Sequence, residues 1–146
     1  MAWELLTESD KGYIAGFFDG EGSVSFSTNG EKIYPRVCFY NTNKSVIDWI
    51  AEVFDEITVK RSVDKRRDSL HNLDNYAVYV KKTKYVKFVL ECMLPYLRIK
   101  RNQAIQTIDF LEWKLERMWK TRSKEELKIE KEHKMIIQKL NKGDRD

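Results

Sequence analysis

Two carboxylates, Asp19 and Glu21, are interleaved with glycines in the stretch Phe18-Asp19-Gly20-Glu21-Gly22. The residues before them carry helical spacing from about Thr7, a residue suited to N-capping, to about Gly20. Both acids therefore fall at a helix C-terminus, which already carries roughly half a negative charge. That crowding is unfavourable unless a cation arrives. Lys or Arg could supply it, and so could a hard divalent ion such as Mg²⁺, which takes one or two carboxylates together with phosphate oxygens. Gly12, Gly16 and Gly20 recur every four residues and share one face of the same helix. Each costs about 1 kcal/mol relative to Ala in a helix interior, so three on one face suggest close approach by another backbone. A helix lying on its own sheet would need only one or two.

The charge layout favours a phosphate ligand. The chain has 146 residues, with 27 Lys and Arg against 23 Asp and Glu, a formal charge of +4 and a pI near 9.0. Residues 1–22 hold five acids against Lys11, residues 59–67 five bases against Asp64, and residues 81–103 seven bases against Glu91. A basic body with one acidic corner suits nucleic acid. Acids beside a phosphate backbone repel it unless metal lies between, so the pattern points to metal-assisted phosphodiester hydrolysis.

Length suits one domain, and 42% hydrophobic residues can fill a core. Cys38 and Cys92 are too few for a disulfide scaffold or a cysteine zinc cluster and read as small buried hydrophobes. Met1 to Ser9 lacks a signal-peptide pattern, and no stretch reaches the roughly 18 apolar residues of a membrane span. The expectation is a soluble intracellular protein of the cytoplasm, nucleoid or an organelle matrix, not secreted and without a membrane partner.

The elements that must position the acids follow from periodicity. Residues 23–29 and 33–40 alternate around Asn29-Gly30, predicting a hairpin with Val24, Phe26, Val37 and Phe39 on one face. Ser25, Ser27, Asn29, Arg36, Cys38 and Tyr40 lie on the other. A second helix is predicted over about Lys44 to Ile57, strands over 58–66 and 75–82 with 68–74 as their loop, and a third helix after Thr83 to near Pro95. A fourth spans about 102–120. Ser123 and Glu126 form a capping-box pattern for a last helix of about 124–141, with a seam of Ile129, His133, Ile136 and Leu140. His133 reads as a buried, hydrogen-bonded histidine rather than a metal ligand. The αββ unit occurs twice, and the sheet keeps one polar face, which plain solvation would also explain.

Ile14-Ala-Gly-Phe-Phe-Asp-Gly-Glu-Gly22 resembles the LAGLIDADG motif of homing endonucleases, identical at Ala15, Gly16, Asp19 and Gly22. The order of elements resembles that family over about residues 5–120. The resemblance implies an α/β (α+β) fold, αββαββα with a saddle-shaped antiparallel sheet, and extra C-terminal helices. Residues 1–122 would form the endonuclease core and 123–146 a helical extension that packs on it or adds DNA backbone contacts.

What the resemblance implies for function is a homodimer of single-motif chains that cuts double-stranded DNA at a long pseudo-palindromic site. Gly12, Gly16 and Gly20 would lie in the dimer interface. Glu21 would be the metal ligand, with the carbonyl of Gly20 in the same shell around Mg²⁺, or Mn²⁺ in its place. Asp19 would be a structural or helix-end residue. Lys100, in Arg98-Ile-Lys100-Arg-Asn-Gln103, would polarise the water nucleophile or stabilise transition-state charge; by residue type alone it reads as a phosphate contact or as a residue without a role, ahead of catalysis. Asn43 aligns with a water-positioning side chain and is also a natural N-cap. Ser25, Ser27, Asn29, Arg36 and Tyr40 in the first hairpin, and Lys60, Arg61, Lys65, Arg66, Asn75 and Tyr79 in the second, would contact DNA. A non-cleaving DNA-binding regulator and an intron-RNA maturase are the alternatives on the same scaffold.

Overall fold

Four alternating runs of sequence pair into one antiparallel sheet: β1 (Gly22–Asn29), β2 (Lys32–Asn41), β3 (Lys60–Lys65) and β4 (Asp74–Val80), in the spatial order β1-β2-β4-β3. The structure, a computed structural model, describes residues 2–57, 60–65, 74–118 and 120–142. Among the described residues, five α-helices accompany the sheet: α1 (Glu8–Glu21), α2 (Lys44–Val53), α3 (Thr83–Met93), α4 (Arg101–Leu115) and α5 (Lys124–Asn141). The expected order αββαββα with added helices is therefore present. Arg66 and most of the expected 68–74 loop lie outside the described residues.

Register explains the two sheet faces. Val24 pairs with Val37, Val37 with Val80, and Phe39 with Val78, so one face is continuously apolar. It is covered by Ile14, Ala15 and Phe18 of α1, by Ile47 and Ile50 of α2, and by Val86, Val89 and Leu90 of α3, all in one buried core. Aromatic rings tie the layers together: Phe39 lies 5.4 Å from Phe18 and 6.5 Å from Phe54, and Trp3 stacks on Phe54 at 5.6 Å. Gly30 takes the positive φ of 63° that the β1–β2 turn requires.

Two helices are shorter than their apolar patterns suggest. The second stops at Val53 and continues as a separate 3-10 turn, Asp55–Ile57, which still buries Ile57. The fourth stops at Leu115 rather than near residue 120, where Arg122 Nη1 donates to the carbonyls of Arg117 and Lys120 and holds the turn into α5.

The phase of α5 also departs from its apolar pattern. Its buried residues are Glu130, His133 and Ile137, whereas Ile129 and Ile136 are exposed. A carboxylate turns inward because Glu130 meets Lys114 of α4 in a buried ion pair, with Arg122 Nε 3.9 Å from the same oxygen. Burial lowers the pKa of Lys114, and the Glu130 charge opposes that shift. The ends of α5 are fastened separately. Ser123 and Glu126 form the expected capping box, Arg117 pairs with Glu126 at 2.9 Å, and Asn141 accepts from Gln103 while donating to the Val24 carbonyl.

His133 stacks flat on Phe110 at 4.1 Å, and its Nε2 has no hydrogen-bond partner among the described residues. The expected buried histidine is present, but it is held by stacking rather than by a hydrogen bond at Nε2. Burial pushes its pKa from 6.5 down to about 4. Below pH 6.5 the unfolded chain binds a proton that the folded chain refuses until about pH 4. The contribution of His133 to stability is therefore complete above pH 6.5 and is lost as the pH falls to about 4, by at most about 3 kcal/mol. Urea melts across this range are expected to show that loss in the wild type and a shallower dependence in His133→Phe.

Candidate nucleic-acid interface and catalytic centre

The end of α1 is a tight helix-to-strand junction. Thr7 caps its start by accepting from the Asp10 amide at 3.1 Å. At its end, a Cβ on Gly22 would meet Phe18 Cδ2 at 2.3 Å and the Phe18 carbonyl oxygen at 2.9 Å. Only glycine lets the chain leave α1 over the Phe18 ring and enter β1 directly. Gly22 thereby places Glu21 at the root of the sheet.

Asp19 and Glu21 have different environments two residues apart. Asp19 is 8% exposed, and its carboxylate accepts from the backbone amides of Arg98 at 2.8 Å and Lys100 at 2.9 Å. It anchors the segment before α4 to the end of α1. Glu21 is exposed, and among the described residues no hydrogen bond or ion pair holds its carboxylate. Lys100 lies against Asp19: its Nζ donates to the Asp19 carbonyl oxygen at 2.5 Å and lies 5.9 Å from the Phe18 ring centre. Burial lowers the Lys100 pKa, while the charges of Asp19 and Glu21 pull it back up. An exposed carboxylate, an end-of-helix carbonyl and a half-buried ammonium thus share one corner.

Replacing Asp19 by Asn leaves one acceptor for two amides and points an NH₂ at an N–H. The expected cost is about 1.5–3 kcal/mol, the scale of a charge-assisted hydrogen bond. Denaturant melts measure that loss, and faster amide exchange at Arg98 and Lys100 would locate it.

Asn43 caps α2: its Oδ1 accepts from the Val46 amide at 3.1 Å, and its own amide donates to Asn41 Oδ1 at 2.7 Å. This is the second of the two roles its position suggests.

The polar sheet face begins beside this corner. Ser23 pairs with Cys38, Ser25 with Arg36, Ser27 with Tyr34 and Asn29 with Lys32. Arg36 Nε donates to Ser25 Oγ at 2.8 Å, and its guanidinium lies 5.7 Å from the Tyr79 ring. Tyr40 meets Tyr79 edge-on at 6.4 Å, and Lys81 Nζ is 5.7 Å from the same ring. Cys38 is buried among these groups, which pushes its thiol up to about 11. In the second hairpin, the register pairs Lys60 with Tyr79, Arg61 with Val78, Asp64 with Asn75 and Lys65 with Asp74. Lys32, Tyr34 and Lys81 extend the face beyond the residues singled out in the sequence, whereas Cys38 lies within it fully buried, as its reading as a small buried hydrophobe expects. The period-2 signal that selects Arg36 and Tyr40 selects Lys32 and Tyr34 equally.

Gly12, Gly16 and Gly20 form a bare strip on α1. A Cβ at any of them would meet no atom within 4 Å among the described residues, and the neighbouring Tyr13 is 55% exposed. Packing within the chain therefore does not explain these glycines.

A helix carrying Glu21 at its end, two hairpins and a polar sheet face define a homing-endonuclease fold. The model of the LAGLIDADG-like domain matches residues 8–93, and the chain belongs to that family. Solved structures that share the fold include the homing endonuclease I-CvuI with the I-CreI target, I-GzeII with its DNA target, and the archaeal intron-encoded I-Vdi141I with DNA. Their TM-scores are 0.55, 0.60 and 0.51, at 19%, 15% and 17% identity. The alignments cover 72%, 87% and 93% of this chain and 67%, 43% and 99% of those chains. An uncharacterised protein of Methanocaldococcus jannaschii is 33% identical over 51 residues, 35% of this chain and 19% of that protein. The chain thus matches about a fifth of that relative's length. Among the described residues, no helix is long and apolar enough to cross a membrane.

Proposed function

We propose that this protein is a site-specific double-strand DNA endonuclease that acts as a homodimer, each copy reading half of a long pseudo-palindromic site. The observation that carries this reading is the exposed Glu21 beside the half-buried Lys100, on a helix whose glycine face is unused within the chain. In a symmetric dimer joined along Gly12, Gly16 and Gly20, two such corners would meet, one for each strand. Residues 123–146 belong to this reading as an extension of a core spanning 1–122.

The donor chemistry fits Mg²⁺, with Mn²⁺ as a substitute: Glu21 and the Gly20 carbonyl offer hard oxygens. No group of three or more His, Cys, Asp or Glu among the described residues could hold a metal alone, so phosphate oxygens, water and the second copy would complete the shell. The ion, when bound, supplies charge neutralisation at the phosphate and activation of water. I-CvuI was crystallised with DNA in the presence of 2 mM Mg or 2 mM Ca.

The chain's own groups do the remaining work. Lys100 places a positive charge where negative charge develops on the phosphoryl oxygens, and its desolvation strengthens that interaction. Asp19 holds the backbone that carries Lys100. Asn43, capping through Oδ1, has its amide nitrogen to orient water. Ser25, Ser27, Asn29, Arg36, Tyr40, Asn75 and Tyr79, with Lys60, would read bases and phosphates in the groove, Arg suiting guanine and Asn suiting adenine. Arg61, Lys65 and Arg66 would serve as backbone contacts. The test is cleavage selection from a randomised duplex library with Mg²⁺: one enriched near-palindrome, cut on both strands, is the expected result. Selective binding without cutting favours the regulator, and binding to structured intron RNA in place of duplex favours the maturase.

A further inference from the structure

We propose that the tip of the first hairpin, the segment joining α4 to α5 and the start of α5 together form a second phosphate-binding surface that grips the DNA backbone beyond the base-reading face; this rests on the DNA reading above. A cleft of about 690 Å³ opens there. Its walls include Asn29, Lys32 and Tyr34 from the open face and Lys120, Thr121 and Arg122 from the segment joining α4 to α5. A second cleft, of about 630 Å³, continues around the tip and adds Lys124, Lys128 and Lys131 of α5.

Two acids of α5 are engaged away from these walls: Glu126 is held by the capping box and Arg117, and Glu130 is turned inward onto Lys114. Glu132 pairs with Lys128 at 4.0 Å, which leaves Lys120, Lys124 and Lys131 to face the clefts without a carboxylate partner among the described residues. Glu31 is the acid on the cleft walls themselves. Behind the first cleft, Lys114 and Arg122 both face the carboxylate of Glu130. The Arg122 side chain lines the cleft but is only 5% exposed, with its Nε buried against Glu130, so the groups that an anion could reach are the exposed lysines of the walls.

Position selects the backbone of the same duplex. The eight residues of β1 separate Glu21 from the tip, roughly 25 Å at about 3.3 Å per residue. A duplex laid along β1 would reach the clefts roughly seven base pairs from the cut, at about 3.4 Å per pair. There Lys120 and Lys124 would meet phosphate oxygens, adding affinity without reading sequence.

The test is the salt dependence of binding to a long random-sequence duplex, for the wild type and for a variant combining Lys120→Gln, Lys124→Gln and Lys131→Gln. All three lysines are exposed and have no carboxylate partner among the described residues, so the fold should be unaffected. The variant is expected to lose roughly two to three from the magnitude of the log–log salt slope, and on the order of tenfold or more in affinity near 0.15 M salt. Equal slopes would overturn the second surface and leave the endonuclease reading intact. Absence of duplex binding by the wild type would overturn both. Unchanged duplex slopes with a reduced slope on structured RNA would assign the surface to RNA and overturn the duplex proposal.

Discussion

Glu21→Gln is expected to fold and bind duplex DNA as the wild type does, and to cut it slower by a factor on the order of 10²–10³ or more, the scale seen when one preorganised electrostatic group is lost. The separation of binding from cutting follows from the side chain's surroundings. Glu21 is exposed, and no hydrogen bond or ion pair among the described residues depends on it. Gln keeps its shape, so the stability change should stay within about 0.5 kcal/mol. What disappears is a negative charge at the end of α1, where a divalent cation would otherwise find its hardest ligand. Loss of that charge also removes a repulsion toward phosphate, so affinity should hold or rise slightly. Wild-type cutting by the variant would remove Glu21 from the centre. Joint loss of binding and cutting would make it a structural residue, which its exposure argues against.

Gly16→Leu is expected to yield a folded monomer that makes no double-strand break. Gly16 faces solvent within the chain, and a Cβ there meets no atom within 4 Å among the described residues. A side chain at this position costs the isolated subunit nothing in packing and relieves the helix of glycine's penalty, about 1 kcal/mol. The damage would fall wholly on the contact between two copies of α1, where an isobutyl group would hold the backbones apart. Sedimentation should show the loss of the dimer while the far-ultraviolet dichroism is retained. Gly16→Ala tests the same surface more gently: a weakened dimer with a subunit at least as stable. A Gly16→Leu protein that remains dimeric and active would place the interface on another face of the molecule.

Both predictions depend on residues visible in the sequence, and the reason is that their signals are local. Period-two alternation sorts each strand into two faces whatever its partner, so Val24 and Phe39 separate from Ser25 and Arg36 before any pairing is known. Caps are equally local: Thr7, Asn43 and the Ser123–Glu126 box are recognisable because their hydrogen bonds span two to four residues. The motif at 14–22 compresses a helix end, a tight junction and an exposed acid into nine positions.

Tertiary structure decided what depends on which elements meet. Asp19 and Glu21 look alike in sequence. Only the amides of Arg98 and Lys100, some eighty residues away, make the first an anchor and leave the second exposed. The phase of α5 departs from its apolar pattern for the same reason. Apolarity points to Ile129 and Ile136, but Lys114 on a different helix draws Glu130 inward and rotates the buried seam. A chain's periodicity encodes which faces it can bury, because that depends on residues a turn apart. Which polar groups are buried with them depends on charges brought together from distant positions, and that becomes defined only when the elements pack.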